Sequence, residues 1–275
     1  MQGIDISSNN HAGERFNFGA AKAAGYDFCY VKATQGDNYL NPYMVADVRD
    51  AANNGMFVGL YHYFDPKHGT PEQQAQFFYR NGIMQPVGDN PDSHMKDWLT
   101  LIPMFDYEEG NPSPTDTTTE RFIAALGQAC GLYTYRDFYN RLGNIRTAKC
   151  LWLAWPGWTN EQLPTVTAIV QTGQSQVQGI GETPQGHLTP TDVNTSIDFT
   201  KFVIAASTPT EKEEEAIMDS TEVTIDGTPH LVSHVYASNG HYIEVTRPLA
   251  NLGKGATQGD SIIDLTDAYP NIKWH

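Results

Sequence analysis

Over the first two-thirds of the chain, short apolar runs rich in β-branched and aromatic residues alternate with stretches of helical periodicity. The pattern predicts strands at 4–6, 26–32, 56–64, 99–108, 131–134 and 150–155. Between them it predicts helices over 16–24, 43–54, 70–80, 118–129 and 136–142. Gly25, Gly55 and Gly82 stand where these helices should stop, and Thr70-Pro71-Glu72 is a helix start. Strand–helix alternation implies parallel strands joined by crossover helices. So many repeats in one domain favour a closed barrel over an open sheet. The fold class read from the pattern is α/β, an irregular TIM-like β/α barrel over 1–204.

From 205 the character changes. Residues 205–217 hold Pro, Thr and a glutamate run and read as a linker. Residues 218–275 alternate apolar and polar positions around Asp226-Gly227 and Asn239-Gly240, which are hairpin turn signals. They predict a small antiparallel β module.

Charge narrows the function classes. A formal net charge of −15 leaves no basic stripe to meet phosphates, which argues against nucleic acid and anionic membranes as partners. No apolar run reaches the ~18–20 residues of a membrane span. The first residues, Met1-Gln2-Gly3-Ile4-Asp5, lack the basic and apolar parts of a signal peptide. Three cysteines without paired spacing predict core thiols rather than a disulfide scaffold or a zinc site. No zinc-hydrolase motif is present, and His230 and His234 lie too far apart on a strand to share an ion. No cofactor or metal is expected.

The candidate chemistry sits at strand ends. Met104-Phe105-Asp106-Tyr107-Glu108 closes an apolar run with two acids two residues apart. On a strand, such side chains share a face with Cα atoms about 6.5–7 Å apart. Neighbouring carboxylates repel as anions, so one tends to keep its proton. Such a pair supplies a general acid and a charge-stabilising partner for glycosidic cleavage. Asp-x-Glu is common by chance, and a solvated strand end is the bland reading. What adds weight is convergence. Asp5, His62, Tyr63, Tyr133 and Trp155 also fall at or near predicted strand ends, and barrels keep their reactive residues there.

With these residues assembled, residues 2–203 resemble glycoside hydrolase family 25, the Chalaropsis-type lysozymes. The resemblance rests on Gly3-Ile4-Asp5-Ile6-Ser7, Val31-Lys32-Ala33-Thr34-Gln35-Gly36 and Gly59-Leu60-Tyr61-His62-Tyr63-Phe64. It continues through Gln74-Ala75, Phe78, Phe105-Asp106-Tyr107-Glu108, Gly131-Leu132-Tyr133-Thr134 and Leu151-Trp152-Leu153-Ala154. The resemblance implies cleavage of the β-1,4 bond between N-acetylmuramic acid and N-acetylglucosamine in peptidoglycan. It places the acid on Glu108 and supporting carboxylates on Asp106 and Asp5. A further family Asp near the last strand fits Asp198 best, with Asp192 as a rival alignment. Where the family usually has Glu, this chain has Gln35.

The mechanism expected is protonation of the leaving oxygen by Glu108, its pKa raised by Asp106 and partial burial. Asp106 would orient the substrate N-acetyl group for attack by its own carbonyl; a carboxylate nucleophile, Asp106 or Asp5, is the alternative. Tyr63 or His62, Tyr133 and Trp152 are candidate groove residues, each with core packing as its bland reading. Lys32 is a candidate partner of a groove carboxylate. The setting implied is a phage endolysin, held in the host cytoplasm before lysis, with a tail-associated lysin or an autolysin as runner-up. The C-terminal module would bind the wall or self-associate. The competing class is an inactive wall-carbohydrate-binding protein on a degenerate barrel, against which three retained acids argue.

Overall fold

A computed structural model of the chain describes residues 1–11, 15–87, 93–142, 147–159, 162–175, 190–204, 220–225, 228–236, 242–248 and 273–274. The chain divides into two compact units, Met1–Ala205 and Ala206–His275.

The first unit is a closed barrel. Its strands are β1 (Gln2–Ile6), β2 (Tyr26–Gln35), β4 (Phe57–Tyr63), β5 (Met104–Asp106), β6 (Gly131–Tyr135), β7 (Leu151–Ala154), β8 (Thr167–Ser175) and β9 (Thr191–Ser196). Each pairs with the next around the ring, and β1 closes it by pairing with both β2 and β9. A short β3 (Tyr39–Leu40) folds back onto the end of β2 as a hairpin. Pairings from β1 round to β8 are parallel, whereas β9 runs antiparallel to both neighbours. That reversal decides which end of β9 reaches the functional rim.

Helices α1 (Phe18–Ala23), α2 (Met44–Asn53), α3 (Pro71–Phe78), α4 (Thr118–Leu126) and α5 (Arg136–Arg141) cover the outside. Local chemistry sets their ends. Thr70 and Gln73 form a capping box at the start of α3, with Pro71 in the first turn. Gly127 takes a left-handed φ of 71° and ends α4 at Leu126, short of the expected 129. The apolar run expected as a strand over 99–108 forms one only at Met104–Asp106. Upstream, the Thr100 and Leu101 N–H groups both reach the Val58 carbonyl, and Ile102 N–H reaches Phe202. This segment floors the barrel instead of extending a strand. Strands β8 and β9 were not anticipated, because their Gln, Thr and Asn content hides the alternation.

Two apolar layers follow from strand alternation. Phe28, Tyr30, Tyr61, Met104, Trp152 and Phe202 fill the barrel interior. Val31, Leu60, Phe105, Leu132 and Leu153 face outward and meet Phe78, Phe122 and Phe138 from the helices. Each fully buried ring contributes about 1.5–3 kcal/mol. Gly3 and Gly59 make the interior possible, since a Cβ there would overlap the Phe28 and Tyr30 rings. Cys29, Cys130 and Cys150 are buried free thiols. Among the described residues no helix is long and apolar enough to cross a membrane.

In the second unit, β10 (Ser220–Ile225), β11 (Thr228–Tyr236), β12 (Tyr242–Pro248) and β13 (Lys273–Trp274) form one antiparallel sheet. Ile225 pairs with Thr228, and the Asp226-Gly227 turn signal between them lies outside the described residues. The linker expected at 205–217 lies outside the described residues, as does Asn239-Gly240.

Candidate active site

The C-terminal ends of the parallel strands surround a pocket of about 190 Å³. Asp5 of β1, Lys32 of β2, Tyr61 and Tyr63 of β4, Asp106 of β5, Tyr133 of β6 and Trp152 of β7 line it. Glu108, Gln171 and Asp192 complete its polar wall, with Ser7 and Asn9 at the edge. Nine of the ten residues just named from strands and wall carry a titratable or amide group, so the pocket is built for proton and hydrogen-bond chemistry.

Glu108 is not on a strand, as β5 ends at Asp106. It still shares the pocket because the alternation outlasts the strand. The Tyr107 N–H bonds to the Tyr133 carbonyl at 2.9 Å, and the Tyr107 ring packs outward in the helix-facing core. Asp106 and Glu108 are thereby left on the inner side.

Asp5 is held by a closed network. Its Oδ2 accepts from Asn194 Nδ2 at 2.8 Å and from Gln171 Nε2 at 3.0 Å. Tyr133 donates to Gln171 Oε1 at 3.0 Å, and the Trp152 indole donates to Asn194 Oδ1 at 2.7 Å. Each amide thus has its orientation set by what it accepts and what it donates. Burial, then the Asp192 charge, pushes Asp5 up to about 7 against the two amide hydrogen bonds.

Asp106 differs from Asp5 in being unsupported. Among the described residues its buried Oδ1 has no hydrogen-bond partner. Burial, then Glu108, holds its pKa well above the usual carboxylate range, with Lys32 pulling it down. Glu108 is also raised, by burial first, with Glu109 and Asp192 adding to the effect and Lys32 opposing it. Asp192 is raised by burial. Four carboxylates round one ammonium cannot all ionise, so the cluster keeps protons at pH values where an isolated acid has none.

Lys32 is the pocket's cation. Its Nζ donates to Gln35 Oε1 at 2.7 Å and lies 4.4 Å from the centre of the Tyr63 ring. Both contacts are uncharged, so its charge is left to act on Asp106 and Glu108. Tyr63 in turn donates to Glu109 Oε1 at 2.7 Å.

Two predicted groove residues lie elsewhere. His62 is fully buried on the outer face of β4, between Tyr61 and Tyr63, which both point inward. It bonds Thr34 Oγ1 at 2.8 Å and Gln74 Oε1 at 3.0 Å and packs against Phe78 and Phe122. Burial lowers its pKa to about 3, so it is a neutral core residue. Asp198 is half-buried and caps a 3-10 turn, accepting from Thr200 Oγ1 at 2.6 Å. It follows the C-terminal end of β9, which antiparallel pairing puts at the opposite end of the barrel. Asp192, at the N-terminal end of β9, is the acid in the pocket. Asn194 and Gln171 were missed, and only knowledge of strand direction would have singled them out. Among the described residues no group of three His, Cys, Asp or Glu side chains could hold a metal ion.

A closed β/α barrel with proton-sharing carboxylates and aromatic faces at its C-terminal rim is the frame of a glycoside-cleaving enzyme. Residues 4–176 match the model of Glycosyl hydrolases family 25, and the chain belongs to that family of glycoside hydrolases. The N,O-diacetylmuramidase of a Chalaropsis species is 32% identical over 156 residues, covering 51% of this chain and 68% of that one. Lysozyme M1 of Streptomyces globisporus is 38% identical over 82 residues, 30% of this chain and 27% of its own length. The match therefore spans about a quarter of that relative. Among solved structures, a bacterial lysozyme from Streptomyces coelicolor shares the fold, with a TM-score of 0.56 at 24% identity, covering 73% of this chain and 94% of that chain.

Proposed function

We propose that this chain is a muramidase that cleaves the β-1,4 bond between N-acetylmuramic acid and N-acetylglucosamine in peptidoglycan. The observation that carries the reading is that Glu108 and Asp106 line one pocket, each with its pKa raised first by burial. A raised pKa lets Glu108 hold the proton it gives to the leaving glycosidic oxygen. As the C–O bond breaks, the substrate's acetamido oxygen attacks the anomeric carbon from the other face. Asp106, which lines the pocket beside Glu108, accepts the acetamido N–H and orients it. Water then opens the cyclic intermediate, returning a proton to Glu108. Asp5 is less suited to be a nucleophile, since Asn194 and Gln171 already occupy one of its oxygens.

Digestion of purified peptidoglycan, with mass spectrometry of the fragments, tests this. Reducing-end N-acetylmuramic acid is expected. Reducing-end N-acetylglucosamine would mean a glucosaminidase, and wall binding without cleavage a binding protein. For the setting we propose a phage endolysin, following the sequence resemblance. Expression inside a susceptible bacterium beside a membrane-permeabilising protein tests it, with lysis expected only when both are present. Residues 218–275 we read as a wall-binding or self-associating module, tested by co-sedimentation of the full chain with purified walls.

A further inference from the structure

A second cleft of about 370 Å³ lies beside α5, lined by Arg136, Tyr139, Asn140, Leu153, Trp155 and Gln162 among others. Its place is set by the strands that build the acidic pocket. Tyr133 of β6 and Trp152 of β7 are register partners and line that pocket. Arg136 and Trp155 follow the ends of the same two strands, three residues further on in each, or roughly 10 Å along an extended chain. Leu153 faces outward where Trp152 faces inward. The cleft therefore opens on the outer side of the rim that carries Asp106 and Glu108.

Its chemistry is unlike the pocket's. The Arg136 guanidinium lies 4.3 Å from the centre of the Trp155 ring. Among the described residues Arg136 has no carboxylate partner, whereas Arg15, Arg49 and Arg121 each do. Stacking holds the planar fork in place and leaves its N–H groups free for a carboxylate. The Asn140 and Gln162 amides suit peptide groups, and Trp155, Tyr139 and Leu153 offer apolar faces. An uncharged sugar would leave the free cation unused.

We propose that this cleft binds the carboxylate-bearing peptide carried by the muramic acid residue, with Arg136 on a peptide carboxylate. This rests on the muramidase reading and adds a substrate-selecting site to it. An anionic substrate approaching four pocket carboxylates on a chain of charge −15 needs a local cation, and Lys32 is already engaged inside. Arg136 and Trp155 each lie three residues beyond a pocket residue, a span of roughly 10 Å at most, which a short extended peptide can bridge.

The test compares soluble peptide-bearing glycan with the same glycan stripped of peptide by an amidase, for the wild type and Arg136→Gln. On the peptide-bearing glycan KM should rise about tenfold in the variant, with kcat little changed. The stripped glycan should show a rise under about twofold, since the charge-assisted contact is absent there. Equal effects on both substrates overturn the proposal. Separately, a free stem tetrapeptide is titrated into the full wild-type chain while the Trp155 indole signal, assigned with Trp155→Phe, is followed by NMR. A saturable shift that Arg136→Gln abolishes supports the site. No shift, or a shift with neutral N-acetylglucosamine oligomers instead, overturns it. If the wild type cleaves neither glycan, the muramidase reading fails and the titration alone decides the cleft.

Discussion

Asp5 and Asp192 sit directly opposite each other across the antiparallel β1–β9 pair, on the face that lines the acidic pocket. Like charges in that relation destabilise a sheet, and Asp192 raises the cost of ionising Asp5. Asp192→Asn should let the Asp5 pKa fall from about 7, because the Asp192 charge is the largest cause after burial. The pH profile of kcat/KM should change accordingly. Asp198→Asn, on the far end of the barrel, should leave activity within about twofold, as surface changes usually do. Parallel pH–rate profiles of the two variants check this, and equal effects would sink the assignment of Asp192 to the site.

Glu108→Gln removes a proton donor while keeping size. A positioned general acid contributes about 10²–10⁴-fold, so kcat should drop by that order. The melting temperature at pH 7 should hold or rise, because a half-buried, raised-pKa carboxylate is lost. An active Glu108→Gln enzyme would remove Glu108 from the acid role.

Asp5 contributes stability that is lost as pH rises from about 4 to 7. Asp5 has a folded-state value of about 7 against 3.8 for the free group, so the folded chain holds a proton there that the unfolded chain has lost. Between those values the native state binds more protons, which makes the slope of unfolding free energy with pH negative. His62 opposes this, since its value is lowered to about 3 and the unfolded chain protonates first below 6.5. Asp5→Asn, which keeps an oxygen to accept from the amides, should make the slope of melting temperature against pH more positive between pH 5 and pH 7.5. An unchanged slope in thermal melts would contradict the buried, proton-holding Asp5.

Gln35→Glu should move the alkaline limb of activity to higher pH. The new carboxylate would pair with Lys32 at the position of the present 2.7 Å hydrogen bond. The Lys32 charge now lowers both Asp106 and Glu108. Neutralising it raises both, so the acid keeps its proton longer. Measuring kcat/KM from pH 4 to 9 decides the direction, and a shift to lower pH would show that Lys32 does not act on the pair.

The repeat of strands and helices through β7 is legible along the chain, because alternation and helical spacing are local and each element keeps its own period. So are Asp5, Asp106 and Glu108 as neighbours, since parallel strands bring their C-terminal ends to one rim whatever their order. Lys32, Tyr63, Tyr133 and Trp152 follow by the same rule. Strand direction, however, is a pairing property that no local pattern carries. The tertiary structure alone reverses β9, and with it takes Asp198 away from the pocket and brings in Asp192 and Asn194. Only packing decides the facing of His62, which sits one residue from two pocket tyrosines and turns into the helix layer instead. Likewise the 99–103 run is as apolar as a strand, yet hydrogen bonds to Val58 and Phe202 make it the barrel floor. Apolar content determines that a residue is buried, but which of two cores receives it depends on partners distant in the chain.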